Sequence, residues 1–207
     1  MKFPNTTSQN IHTFVEGYFD EIKKAFDSID LDELEKIADL LISSINNKRT
    51  IYTCGNGGSS SIAEHFVCDF LKGASTGTNI NPIIHSLSSN TPVLTAISND
   101  IDYDSIFSYQ LDKYANKDDI LLCVSSSGQS KNILKALEVS KSKEMKSISF
   151  VGFTGGKAKL NSDYSIHIPI NNYGIVEDSH HSLMHILSQY VRIKALLDPK
   201  DINKITF

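Results

Sequence analysis

From residue 10 to residue 46 apolar side chains return at helical spacing, first Phe14, Tyr18, Ile22 and Phe26, then Leu34, Ile37, Leu41 and Ile45. Asp30 stands ahead of Leu31-Asp32-Glu33 as an N-cap followed by first-turn acids, so the pattern predicts two consecutive helices rather than one. These helices carry no chemistry. Their predicted use is packing, including packing across a subunit interface, because a helical hairpin ahead of a sheet needs an apolar partner.

Beyond residue 50 the period changes. Short apolar runs at Ile51–Cys54, Pro82–His85, Ile120–Val124, Ser147–Val151 and Tyr164–Ile168 alternate with helical patterns. That alternation predicts an α/β fold with a parallel sheet and crossover helices. In such sheets ligands gather beyond the carboxyl ends of the strands, so the loops that follow strands are the places to search.

At 207 residues the chain is read as one domain, residues 1–207, with an N-terminal helical segment at 1–47 and an α/β core at 48–198. Hydrophobic residues at 40% and charged residues at 21% exclude a disordered chain and a disulfide-dense miniature scaffold. A formal charge of −4 with no Lys/Arg-dense run excludes broad nucleic-acid binding, so any anionic ligand has to be held locally. The opening Met-Lys-Phe-Pro-Asn-Thr-Thr-Ser lacks the apolar core of a signal peptide, and no stretch approaches the roughly 20 apolar residues of a membrane span. The expectation is a soluble, cytoplasmic protein without a membrane partner. Cys54, Cys68 and Cys123 cannot all pair and show no Cys-x-x-Cys spacing, so they are read as reduced thiols, with Cys54 and Cys123 in the core.

The run ending at Cys54 is followed by Gly55-Asn56-Gly57-Gly58-Ser59-Ser60-Ser61 and a helical pattern through Ala63, Phe66, Val67 and Phe70. Glycines let the backbone approach an anion, hydroxyls donate to it, and the new helix offers unpaired N–H groups. A phosphate fits there. No Gly-Lys-Ser/Thr follows and the third glycine of a dinucleotide fingerprint is missing, which argues against a nucleotide. A second loop, Ser125-Ser126-Ser127-Gly128-Gln129-Ser130, repeats the design before a helix through Ile133, Leu134 and Leu137. Either serine cluster alone is an ordinary capped turn. Together, in one parallel sheet, they converge on one small phosphate without an arginine cluster.

His65 and Asp69 stand four apart on the helix leaving the first loop and share a face. Glu177, Asp178, His180, His181 and His185 crowd the start of the last helical pattern. Beside a sugar phosphate these groups offer proton transfer or metal ligation, and spacing does not choose between them. Spacing pairs His181 with His185 at i, i+4 better than it pairs Glu177 with His185, which stand about 80° apart around a helix. Three histidines on a terminal helix also fit a solvent-facing or interfacial role. His85 and His167, in strand-like runs, are read as satisfied structural histidines, and His12 as a surface residue.

Four ordered motifs resemble those of bacterial phosphoheptose isomerases, members of the sugar-isomerase (SIS) fold. They are Cys-Gly-Asn-Gly-Gly-Ser at 54–59 with His65-Phe66 behind it, Ala96-Ile97-Ser98-Asn99-Asp100, the serine loop at 125–130, and the last helix ending in His185-Ile186-Leu187. The resemblance covers nearly the whole chain. It implies a single SIS domain, flavodoxin-like, with helices on both faces of the sheet. It implies interconversion of sedoheptulose 7-phosphate and D-glycero-D-manno-heptose 7-phosphate for lipopolysaccharide or another heptose-containing glycan, and a homotetramer with sites shared between subunits. Asn56, Gly57, Gly58, Ser59, Ser125, Ser126, Ser127 and Ser130 would hold the phosphate, with Asp100 and Glu177 beside the sugar. Asp69 and His185 match the family's acid/base pair, and His65, Asp69, Glu177 and His185 match a ligand set for one zinc per subunit. No organic cofactor is implied.

Three departures stand out. The family's glutamate is shortened to Asp69, its glutamine becomes Glu177, and its arginine after the first active-site helix is missing, with Lys72 nearby. Two alternatives share the fold: a non-catalytic SIS protein that binds the replication initiator, and an SIS isomerase acting on another sugar phosphate. Retention of His65, Asp69 and His185 speaks against the first.

Overall fold

The computed structural model of the chain describes residues 3–4, 10–196, 198, 200 and 202; most of the opening segment read for a leader, and the last residues of the single-domain reading, lie outside the described residues. Helix α1 runs Ile11–Asp27 and α2 runs Leu31–Asn46. The predicted break holds for the predicted reason, since the Asp30 carboxylate accepts from the Glu33 N–H at 3.0 Å. Helix α2 buries Ile37, Leu41 and Ile45, whereas α1 fully buries only Ala25 and leaves Ile11 and Phe19 largely exposed.

Strands β1 (Thr50–Gly55), β2 (Ile83–Ser86), β3 (Ile120–Ser125), β4 (Lys146–Val151) and β5 (Tyr164–His167) form one parallel sheet in the order β2-β1-β3-β4-β5. All of β3 is buried, as expected of an unbroken apolar run with helices on both faces. Helices α3 (Gly58–Cys68) and α8 (Tyr173–Lys194) join α2 over one face, where Leu41, Phe66 and Leu183 meet β3. Over the other face lie α4 (Thr91–Asp100), α5 (Ser108–Tyr114), α6 (Lys131–Ser142) and α7 (Gly156–Asn161), packed through Ile97, Leu111, Ile133 and Ala158. No helix among the described residues is long and apolar enough to cross a membrane.

The strand order decides where a ligand can sit. From β1 the chain builds β2 on one side, then crosses to build β3 on the other, so the loops after β1 and β3 part around a crevice at the topological switch point. These are the two serine-containing loops. Cys54 and Cys123 face each other across β1 and β3 with sulfurs 3.5 Å apart; both remain free thiols, and their mutual hydrogen bond and burial push the Cys54 thiol well above the usual range.

The strand-like histidines divide. His167 is satisfied as predicted, its Nε2 lying 3.0 Å from the Phe153 carbonyl oxygen. His85 is exposed on the edge strand β2, so the structural reading fails for it: alternation along an edge strand turns its side chain outward. His180, on α8, is completely buried against Phe150, and neither ring nitrogen has a hydrogen-bond partner among the described residues. Burial holds its pKa down at about 4. The unfolded imidazole, with a pKa near 6.5, takes a proton before the folded one does. The resulting stability is therefore complete above about pH 6.5 and is lost progressively down to about pH 4, a total of about 3 kcal/mol. Urea midpoints measured with chelator present should fall more steeply over this window for the natural chain than for His180→Leu; parallel slopes would refute the assignment.

Candidate active site

The β1–α3 loop delivers Gly57 as the N-cap of α3, in a positive-φ conformation and with no side chain to cap the helix. The first N–H groups of α3 therefore point into the crevice without a side-chain partner. Asn56 is clasped: its Oδ1 accepts from Tyr103 Oη and Asn132 Nδ2, and its Nδ2 donates to Asn132 Oδ1, each at 2.9 Å. Across the crevice, Ser125 Oγ accepts from the Gly128 N–H and Ser127 Oγ from the Gln129 N–H, both at 3.2 Å. Ser130 is the N-cap of α6 yet makes no capping bond with its side chain. Ser126 Oγ is buried with no hydrogen-bond partner among the described residues. A buried orphan hydroxyl in such a loop is a costly arrangement without a ligand and an apt one beside a phosphate.

The titratable groups gather where α3 meets α8. At Asp69 the helix passes into a π-wound turn, Asp69–Ala74, of the kind that re-aims side chains at functional sites. Contacts advance together along the two helices, Gly58 with Glu177, His65 with His181 and Asp69 with Ser188, so α3 and α8 run parallel. Asp69 Oδ2 lies 2.9 Å from His185 Nδ1 and accepts from Ser188 Oγ at 3.3 Å, while Oδ1 lies 3.3 Å from His65 Nε2. His65 Nδ1 is 2.6 Å from His181 Nε2. The rings of His181 and His185 stack 5.1 Å apart, and His65 stands edge-on to both. Burial, then the charges of His65 and His185, lowers the pKa of His181. Burial, then the neighbouring Asp178, raises that of Glu177. Helix α1 also reaches the site: Tyr18 Oη donates to Asp178 at 2.7 Å, and burial together with this bond pushes the phenol up to about 12.

The SIS domain family model matches residues 17–152. The phosphoheptose isomerase of Helicobacter pylori strain P12 is 39% identical over 166 residues, covering 80% of this chain and 85% of that protein. That of Thermodesulfovibrio yellowstonii is 33% identical over 170 residues, 82% of this chain and 84% of that one. The chain belongs to the phosphoheptose isomerase family. Solved structures agree: the phosphoheptose isomerase of Francisella tularensis matches with a TM-score of 0.81 at 27% identity, covering 88% of this chain and 96% of that one. The enzyme from Neisseria gonorrhoeae matches at 0.80 and 26%, covering 88% and 98%.

Among the positions this family's pattern picks out, the structure brings His65, Asp69 and His185 into direct contact. It sets Glu177 apart from them, with its carboxylate so close to Gly58 that a Cβ there would collide with it. The third imidazole at the cluster is His181, which helical spacing had paired with His185. Asp100 is exposed at the end of α4 and lines a shallow cleft of about 390 Å³ with Tyr109, Lys113 and Tyr114, a cleft to which neither serine-containing loop contributes. Lys72 is exposed on the π-wound turn. Sequence reasoning missed Tyr103, Asn132 and Tyr18. Asn132 carried a usable signal, since it opens a helix two residues past Ser130; Tyr103 and Tyr18 carried none, because their partners lie 47 and 160 residues away.

Proposed function

We propose that the chain converts D-sedoheptulose 7-phosphate to D-glycero-D-manno-heptose 7-phosphate through a cis-enediol, in the cytoplasm, supplying heptose for lipopolysaccharide or a related glycan. The observation that carries this reading is the Asp69 carboxylate held between His65 and His185, on a helix whose other end opens from a phosphate-type loop. Asn56, Ser59, Ser125, Ser126, Ser127 and Ser130, with the backbone of Gly57 and Gly58, bind the phosphate and exclude water from it; Asp100 and Glu177 bound the sugar. Asp69 takes the proton from C1 of the ketose and returns it to C2 on the same face. His185 gives a proton to O2 as the enediol forms and takes one from O1 as it collapses, so no proton is gained or lost.

One nitrogen from each of His65, His181 and His185 lies within 4.8 Å of the others, with Asp69 alongside, a donor set that suits zinc. This histidine cluster would hold the ion, which would supply Lewis acidity at the sugar's oxygens. No organic cofactor is needed for the proton transfers.

Helix α3 rises about 16 Å between its phosphate-binding end and Asp69, farther than an extended seven-carbon sugar phosphate reaches. This favours a site shared between subunits, the phosphate end of one serving the acid/base end of another, within the homotetramer that the family resemblance implies. Leu31, Leu34, Ala38, Ile186, Leu187 and Tyr190 line an apolar surface hollow of about 260 Å³ suited to such an interface.

The test is to incubate the purified protein with sedoheptulose 7-phosphate in heavy water and to measure its mass by light scattering. The expected results are deuterium at the carbon next to the carbonyl, a new aldose phosphate, and the mass of four chains. Absence of both exchange and aldose overturns the reading.

A further inference from the structure

The histidines make a more specific statement about the metal than the family pattern does. That pattern draws one ligand from position 177, eight residues before His185 and therefore about 12 Å along the helix axis. Glu177 does not point toward His185. Its carboxylate lies against Gly58, at the opposite end of α3 from Asp69. The intervening turn is occupied by His181, whose ring is stacked on His185 and whose Nε2 lies 2.6 Å from His65 Nδ1. Two imidazole nitrogens that close repel through their lone pairs unless a proton or a cation lies between them, so this pair is joined either by an N–H···N hydrogen bond or by a shared cation.

Asp69 fits the role of ring holder. Its two oxygens meet His65 at Nε2 and His185 at Nδ1, which leaves His65 Nδ1, the nitrogen that meets His181, and His185 Nε2 as the ligand nitrogens of those rings. A carboxylate behind an imidazole fixes the tautomer that a metal requires and makes the ring more basic. Shortening the family's glutamate to aspartate suits a carboxylate that stands behind two rings.

We infer that the metal centre of this chain is a three-histidine centre built from His65, His181 and His185, with Asp69 orienting the rings, and that Glu177 lies outside it. The inference rests on reading the cluster as a metal site and is independent of which sugar is turned over. His181 replaces a longer-range ligand with one already in contact. Glu177 is then left free at the start of α3, facing the sugar-phosphate crevice as a carboxylate rather than committed to the ion.

The experiment measures metal binding directly, without substrate. Chelator-stripped protein is titrated with zinc against a chromophoric competitor, for the natural chain, His181→Asn and Glu177→Gln. The expected result is a loss of at least about a hundredfold in affinity for His181→Asn and a change of less than about threefold for Glu177→Gln. The reverse order, or equal losses in the two variants, overturns the inference. A second readout does not depend on whether His181→Asn folds. In cobalt-substituted protein, His181→Cys should gain a sulfur-to-cobalt charge-transfer absorption and Glu177→Cys should not; a band in the Glu177 variant alone overturns the inference. Isomerase assays on the same samples report separately on the proposed reaction, so failure of the sugar assignment leaves the metal result standing and failure of the metal result leaves the sugar assignment standing.

Discussion

Replacing Asp69 with asparagine is expected to lower isomerase turnover by about 10²–10⁴-fold while changing the KM for the sugar phosphate little. The amide matches the carboxylate in size and keeps one oxygen for an imidazole, so packing at the α3–α8 contact is preserved. It cannot accept a proton from carbon, and its NH2 group would face a ring nitrogen that donates to Asp69 in the natural chain. Both effects fall on the proposed proton-transfer step rather than on the serine-containing loops proposed to bind the phosphate. Deuterium exchange should fall with turnover. Asp69→Glu separates the two roles of this residue: it restores the family's longer carboxylate and should retain far more activity than the asparagine variant. If asparagine supports near-normal turnover, Asp69 is not the proton carrier. If glutamate and asparagine are equally inactive, its contribution is the positioning of His65 and His185.

A methyl group at Gly128 should damage both stability and phosphate binding. Gly128 turns the second serine-containing loop with φ +61°, a conformation that costs an alanine about 1–2 kcal/mol. The added carbon would also overlap the carbonyl oxygen of Gly155, well inside van der Waals contact, and the obstacle is backbone rather than a side chain that can swing away. A Cβ at Gly156 would in turn overlap the Gly128 carbonyl oxygen, and the Ala158 N–H donates to that carbonyl at 2.9 Å. The turns after β3 and β4 are thus locked backbone to backbone, and one cannot move without the other. Gly128→Ala should lose about 3 kcal/mol of unfolding free energy, combining the φ cost with overpacking. In whatever fraction folds, displaced Ser125–Ser130 hydroxyls should weaken inorganic phosphate binding by at least about tenfold, because misplacement by about 1 Å at a binding site is expensive. A variant within about 0.5 kcal/mol of the natural chain and with unchanged phosphate affinity would show that the contact is slack.

Much of the molecule is written locally. The break at Asp30, the apolar run of β3 and the glycine–serine turns are each decided by neighbours in sequence, through capping, alternation and turn chemistry. Sequence reading placed these within a residue or two. It also paired the two serine-containing loops, and the strand order β2-β1-β3-β4-β5 supplies the reason they meet, since it makes β1 and β3 neighbours at the switch point.

What stayed illegible depends on which faces of distant elements touch. On a helix, spacing makes His181 the better companion of His185 while the family pattern points to Glu177, and the two grounds disagree. The parallel packing of α8 on α3 makes the choice, setting His181 on His65 and Glu177 on Gly58. The clasp of Tyr103 and Asn132 on Asn56, the orphaned hydroxyl of Ser126 and the backbone lock at Gly128 are likewise products of packing between segments far apart in sequence. The sequence by itself determined the helices, strands, phosphate-type loops and kinds of chemical group, because short-range period and turn preference encode them. Only the tertiary structure decided which of those groups face one another, because that follows from the relative rotation and registry of helices packed on a shared sheet.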